Sequence, residues 1–281
     1  MSLDPALIAS VVRAALDEDV GARDATTEAT VPASVKARAV FLAKQDFVLA
    51  GLDVAVAAFK MVDPAITWDA RVRDGMPIAF GTVLGSLRGG ARGLLTAERV
   101  ALNFLQRMSG VATVTRRFVM AVSGTRARIR DTRKTTPLLR AFEKYAVEVG
   151  GGTCHRDGLD SGILVKDNHA RLAGSVGEAA RRAVAAAAKS KLPVEVEIER
   201  LDQLDEVLAA GVQMILLDNF RPDQVREAVR RTGGRVPLEV SGGVKLETVR
   251  AYAEAGPDYI AIGALTHSAP AVDISLEIEP A

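Results

Sequence analysis

The chain has 281 residues, 48% hydrophobic and 25% charged, with a formal net charge of +1. At about 150 residues per domain, that is two domains or one large α/β barrel with a sizeable core. The near-neutral sum argues against a strongly basic nucleic-acid coat, and 4% aromatic residues disfavour a base-stacking platform. A single cysteine, Cys154, excludes an intrachain disulfide and a cysteine-based zinc centre. The opening MSLDPAL has no basic and then apolar leader pattern, and no apolar run reaches about 18 residues. The expectation is a cytoplasmic enzyme without a membrane span.

In chain order, Asp4-Pro5 caps an amphipathic helix over 3–19, with Leu7, Ile8, Val11, Val12 and Leu16 on one face. From about 24 to 95, short β-rich runs such as ARAVFLA and FVLAG alternate with Gly, Pro and Asp, and a helix over 52–62 interrupts them. TAERVALNFLQRMSG reads as a helix over 96–110, led by Thr96 and ended by Gly110. Beyond about 125, six strand candidates alternate with helical segments: ARIRD (127–131), ILVKD (163–167), VEVEIE (194–199), MILLDN (214–219), LEVSG (238–242) and YIAIG (259–263). Repeated βα units mean a parallel sheet, and six of them suit an open or closed α/β barrel. The alanine run at 185–188 belongs to one of the helices.

The charges are segregated. Between Arg99 and Arg140, ten basic residues meet one acid, Asp131, for a local +9. Between Glu195 and Asp223, eight acids meet two arginines, for −6. Position decides what these mean, because reactive groups of parallel β/α folds collect at the C-terminal ends of strands. Here those ends carry Asp131-Thr132-Arg133-Lys134, Lys166-Asp167-Asn168-His169, the pair Glu195 and Glu197, Asp218-Asn219, Ser241-Gly242-Gly243 and Gly263-Ala264. The strand bodies between them are aliphatic. Glu195 and Glu197 share one strand face, as Asp218 does with Met214 and Leu216. Carboxylates in a barrel mouth need cations or donors, and a Mg²⁺–polyphosphate complex would supply the first. The turns at 241–244 and 263–265 follow strands and precede helices, so their backbone N–H groups can face a phosphate. Arg133, Lys134, His155, Arg156 and Lys166, beside Gly150-Gly151-Gly152, imply a small, strongly anionic ligand.

TAERVALNFLQRMSGVAT (96–113), DTRKTTP (131–137), EKYAVEVGGGTCHRDGL (143–159), LVKDNH (164–169), EVE (195–197), ILLDN (215–219), SGGV (241–244) and YIAIGALTHSAPAVDISL (259–276) together resemble the quinolinate phosphoribosyltransferases. The resemblance runs nearly end to end. It implies an N-terminal α+β sandwich domain over 1–110, with 270–281 packing on it, and an incomplete, open parallel α/β barrel over 111–269. It also implies transfer of the phosphoribosyl group from phosphoribosyl pyrophosphate to quinolinate with Mg²⁺, giving nicotinate mononucleotide, pyrophosphate and CO₂ in the de novo route to NAD. The implied assembly is a homodimer with shared active sites, or a hexamer, with no nucleic-acid or membrane partner.

Carried over by motif, Arg133, His155, Arg156 and Lys166 bind the quinolinate carboxylates, and Arg99 reaches into the neighbour's site. Lys134, Glu197 and Asp218 serve phosphoribosyl pyrophosphate. Glu197 and Asp218 face its Mg²⁺, directly or through water, with Glu195 the alternative to Glu197. Ser241, Gly242, Gly243 and Gly263 cradle the 5′-phosphate, with His267 close by. Cys154, Ser161, Glu148 and the PLLR run at 137–140 depart from the family pattern without removing an implied ligand. Two rival readings are a relative acting on another heterocyclic acid, and a nucleic-acid-binding protein using the basic stretch at 99–140.

Overall fold

The computed structural model describes residues 2–281, and the chain forms two compact units. One takes the residues up to Val114 with Ala141–Gly151 and Ser268–Ala281; the other takes Thr115–Arg140 and Gly152–His267. The elements run α1 (Pro5–Val20), α2 (Ala25–Thr30), β1 (Lys36–Ala43), β2 (Phe47–Val48), α3 (Leu52–Val62), β3 (Thr67–Ala70), β4 (Pro77–Ile78), β5 (Val83–Gly90) and α4 (Ala91–Ala121). They continue with β6 (Arg128–Arg130), α5 (Arg140–Val149), β7 (Ile163–Val165), α6 (Asp167–Ala173), α7 (Val176–Ser190), β8 (Val194–Ile198) and α8 (Leu204–Ala209). The last are β9 (Met214–Asp218), α9 (Pro222–Thr232), β10 (Leu238–Ser241), α10 (Val249–Glu254), β11 (Tyr259–Ala261), α11 (Ala264–His267) and β12 (Ile274–Pro280). Among the described residues no helix is long and apolar enough to cross a membrane.

In the first unit, Asp4 Oδ1 accepts the Ala6 N–H at 2.9 Å, and Pro5 occupies the first helical position of α1. The proline has no N–H to leave unsatisfied there. An antiparallel sheet has the order β12-β1-β5-β3, so the last strand pairs with the first. Its core centres on Phe41, whose ring meets Phe59 and Trp68 edge-on, both with centroids 5.9 Å apart. On α4 the Ser109 and Thr113 hydroxyls accept the backbone N–H groups of Ala50 and Val48, at 3.0 and 2.9 Å.

The sequence ends this helix at Gly110; in the structure α4 continues to Ala121. Gly110 is a helix-interior glycine whose missing Cβ makes room for the chain at Pro270. A Cβ there would collide with the Pro270 carbonyl and stand 3.3 Å from Ala271 Cα. Glycine costs a helix interior about 1 kcal/mol relative to alanine, which the close approach offsets. Gly110→Ala is expected to destabilise the protein by about 1–3 kcal/mol, as overpacked sites do. A thermal or urea melt checks this; a variant that melts at or above the wild-type midpoint refutes the packing account.

The second unit holds a six-stranded parallel sheet of order β6-β11-β10-β9-β8-β7. β6 and β7 are the ends of the ladder, which is the open α/β arrangement expected from the repeated βα units. The period-2 alternation of strands divides it cleanly. Val194, Val196, Ile198, Ile215, Leu217, Leu238 and Val240 pack into the apolar cluster shared with α7, α8 and α9. Their neighbours Glu195, Glu197, Leu216, Asp218, Glu239 and Ser241 therefore take the opposite, inward face. The strand expected over 163–167 is shorter: β7 stops at Val165 and Asp167 already begins α6.

Candidate active site

The loops that follow the parallel strands are tied to one another before any ligand arrives. Asp131, at the end of β6 and fully buried, accepts the His155 backbone N–H at 2.7 Å. Thr132 Oγ1 accepts the Lys134 N–H at 3.0 Å, and Thr266 Oγ1 donates to the Lys134 carbonyl at 2.8 Å. Ser161 Oγ accepts both the Asp157 and Gly158 N–H groups at 3.0 Å. That departure from the family pattern thus closes the turn beyond Arg156. Asn219, at φ +57°, donates from Nδ2 to Asp218 Oδ2 at 2.7 Å and from its backbone to the Ser241 carbonyl at 2.8 Å. Gly242 sits against it at φ +94°, where a Cβ would stand 2.9 Å from the Asn219 nitrogen. Only glycine fits that turn without strain.

These loops surround a cavity of about 580 Å³. Arg133, Lys134, His155, Arg156 and Lys166 line it, together with Glu197, Asp218, Ser241, Gly242 and Gly243. Gly263 and His267 stand beside it through Lys134: a Cβ on Gly263 would lie 3.0 Å from Lys134 Cδ and 3.2 Å from His267 Nε2. Of the sequence-derived residues only Arg99 lies in the other unit, exposed on α4. The two glutamates of β8 separate. Glu197 lines the cavity and accepts from Lys166 Nζ at 3.1 Å, while Glu195 Oε2 lies 2.8 Å from His155 Nε2.

The electrostatics divide the cavity. Arg133 and Arg156 carry buried Nε atoms without a hydrogen-bond partner. Burial, and then the like charge of Arg133, lower the Arg156 guanidinium below its ordinary value, with Glu195 opposing. Two desolvated cations that repel each other are poised for an anion. On the other side, burial raises Glu197 above the usual carboxylate range against the pull of Lys166, and the Asp218 charge adds to it. Burial likewise raises Asp218, with Lys166 and Lys134 opposing. A buried carboxylate and a partly buried one whose charge raises it are a hard-oxygen donor set suited to a hard divalent cation.

Sequence reasoning names Thr132 and Asn219 only as strand-end residues without a role, and it gives none to Glu239, which lines the cavity, or to Arg130, which holds Glu239. Glu239 was detectable: in the LEVS run it alternates with Leu238 and Val240 and shares a face with Ser241, as Glu195 does with Glu197. Asn219 took its meaning from a positive φ that no spacing discloses.

The fold and the cavity together define a class: an open parallel α/β barrel whose strand ends oppose a cationic anion pocket to a pair of carboxylates and a glycine phosphate turn. Comparison with known proteins narrows it. The family model for the quinolinate phosphoribosyl transferase N-terminal domain matches residues 24–109, and that for the C-terminal domain matches 111–277. The chain is 48% identical over 273 residues to the nicotinate-nucleotide pyrophosphorylase [carboxylating] of Mycobacterium leprae, covering 95% of each. It is 41% identical to a probable enzyme of the same name from Bacillus subtilis, covering 93% of this chain and 90% of that one. The solved structure of NadC from Streptococcus pyogenes superposes with a TM-score of 0.96 at 40% identity, over 100% of this chain and 99% of that one. The chain belongs to the quinolinate phosphoribosyltransferase family.

Proposed function

We propose that this protein is a decarboxylating quinolinate phosphoribosyltransferase: quinolinate and phosphoribosyl pyrophosphate enter, and nicotinate mononucleotide, pyrophosphate and CO₂ leave. It acts in de novo NAD biosynthesis. The observation that carries the reading is the adjacent pair Arg133 and Arg156, partly desolvated and facing the same cavity as Glu197, Asp218 and the Ser241–Gly243 turn. A planar dicarboxylate meets planar guanidinium forks, and the phosphoribosyl donor meets lysines, carboxylates and backbone N–H groups.

The residues divide the work. Arg133, Arg156 and Lys166 hold the carboxylates and so fix the pyridine nitrogen toward the ribose. His155 lines the same wall, its ring set by Glu195 and by the Arg156 N–H. Lys134 and the glycine turns hold the phosphates. The C1′–O bond to pyrophosphate breaks as the pyridine nitrogen bonds C1′, and Glu197 and Asp218 stabilise the positive charge that develops on the ribose. As the carboxylate on C2 leaves as CO₂, its bonding pair stays on C2, stabilised by the adjacent ring nitrogen, now cationic, and C2 then takes a proton from solvent. Glu197 and Asp218 would hold Mg²⁺, directly or through water, and the ion when bound supplies charge neutralisation for the pyrophosphate leaving group.

The test is release of CO₂ and pyrophosphate from both substrates with Mg²⁺. Nicotinate, with one carboxylate, leaves a cation unpaired and is expected to be a far poorer substrate. Turnover of nicotinate but not quinolinate overturns the assignment. The same reading makes the enzyme a cytoplasmic homodimer in which Arg99 of a second copy completes each site. The exposed place of Arg99 on α4, outside the cavity lining, supports it. Mixing Arg99→Ala with Arg133→Ala, each nearly inactive, is then expected to restore about a quarter of wild-type activity, because half the dimers carry one intact site. No recovery after subunit exchange counts against sharing.

A further inference from the structure

A chain of buried and partly buried ionisable groups, carried by β6, β8, β10 and the loop ahead of β7, reaches the cavity through His155 and Glu239. Arg130 Nη1 donates to Glu239 Oε2 at 2.7 Å, and its guanidinium lies 4.3 Å from the centre of the Tyr259 ring. Glu239 has no exposed surface. Its Oε1 has no hydrogen-bond partner and stands 3.7 Å from His155 Nε2. His155 Nε2 is 2.8 Å from Oε2 of Glu195, which is 8% exposed.

The histidine tautomer sets the charge balance. The Arg156 backbone N–H donates to His155 Nδ1 at 2.7 Å, so Nδ1 is bare and Nε2 carries the ring proton toward Glu195. A neutral imidazole leaves the carboxylates of Glu195 and Glu239 opposed by the single guanidinium of Arg130. One further proton makes the group neutral; Oε1 of Glu195 and Oε1 of Glu239 are both buried without a hydrogen-bond partner, and Glu239, with no exposed surface, is the more deeply desolvated of the two and takes the proton. Burial raises Glu239 above the usual carboxylate range, with the Glu195 charge adding and Arg130 opposing. The groups facing Glu239 are therefore Arg130 on β6, His155 ahead of β7, Glu195 on β8 and Tyr259, its register partner on β11. β9 presents Leu216 opposite it, which carries no charge. His155, Glu195 and Glu239 bring one donor atom each within 4.8 Å of one another, close enough to surround a cation. Yet an imidazole whose Nδ1 accepts an N–H has no lone pair left on Nε2, and Arg130 already holds Glu239. A proton fits this cluster and a metal does not.

We propose that Glu239 is an affinity-determining residue for the dicarboxylate substrate, protonated in the bound state, so that binding of the dianion draws a proton from solvent onto its carboxyl group. An ionised Glu239 on the wall of the cavity repels the incoming dianion; a protonated one does not. The inference rests on the reading that Arg133 and Arg156 hold the carboxylates.

Calorimetric titration of the full-length protein with quinolinate, in buffers of different ionisation heat between about pH 6.5 and about pH 8.5, reads the linkage directly. Wild type is expected to take up close to one proton per dianion at the alkaline end, with Kd rising by up to about tenfold per pH unit. Glu239→Gln, which imitates the protonated carboxyl, is expected to bind with the low-pH affinity throughout and to take up no proton. Infrared difference spectra of wild type should show a protonated carboxyl band on binding, which keeps the test sharp if the variant does not fold. Wild-type binding without proton uptake, a bound state lacking that band, or unchanged uptake in Glu239→Gln overturns the proposal. Arg133→Ala separates the two readings. If it loses quinolinate while wild type binds without uptake, the pocket stands and the role of Glu239 falls. If it binds as wild type does, the pocket reading fails and the proposal falls with it.

Discussion

Replacing Arg133 by alanine should lower kcat/KM for quinolinate by about a hundred-fold to a few thousand-fold, the equivalent of removing one partner of a desolvated charge pair. Arg133 lines the cavity with its Nε buried and without a hydrogen-bond partner. The free enzyme therefore already holds a desolvated cation, and the substrate carboxylate is what relieves it. Truncation leaves that carboxylate in the cavity without its fork. Arg133→Lys keeps the charge and loses the bidentate geometry, so it should recover only part of the loss. The measurement is steady-state kinetics with quinolinate varied at saturating phosphoribosyl pyrophosphate. An Arg133→Ala enzyme with unchanged kcat/KM refutes the role given to this residue. So does one whose loss appears only with the phosphoribosyl donor.

Asp218→Asn is expected to lower kcat by about a hundred-fold to a thousand-fold while changing the quinolinate KM little, the range seen when one preorganised electrostatic group is removed. Asp218 is aimed by Asn219, and it shares the cavity with Glu197, whose own partner is Lys166. The amide keeps the shape and loses the negative charge, so the effect isolates electrostatics at the ribose and pyrophosphate side. The loss should be accompanied by a higher Mg²⁺ requirement, read by titrating the metal at fixed substrates. A large rise in quinolinate KM with kcat intact would move Asp218 to the other side of the cavity and refute the division of roles.

Much of this was legible because the relevant signals are local. Helix α3 falls on the 52–62 span that its apolar spacing marked, and the strand bodies of the barrel lie where the Val, Ile and Leu runs are. The charged strand ends were visible too, since a parallel β/α repeat sends every strand's C-terminus to the same edge. The misreadings share a cause. Gly110 reads as a helix end in the sequence because glycine is a common terminator. Its actual constraint is the Pro270 carbonyl, far away in the chain. Asp167 reads as the end of a strand because hydropathy does not show where the backbone turns from ladder to helix. The alternation of the LEVS run puts Glu239 on the inward face, but its partners Arg130, His155 and Glu195 come from other strands and loops and no local pattern discloses them.

The sequence by itself determined the alternation of strands and helices, the family, and which residue types gather at the barrel mouth. These follow from period, spacing and motif, all of which are short-range. The tertiary structure decided which of the two glutamates on β8 faces the cavity, which arginines are desolvated, and that Arg130, His155, Glu195 and Glu239 form one buried charge group. Burial and charge balance are sums over neighbours from several strands. A net charge of +1 conceals them until the sheet brings Arg133 and Lys134 from a cationic stretch and Glu197 and Asp218 from an acidic one into the lining of a single cavity.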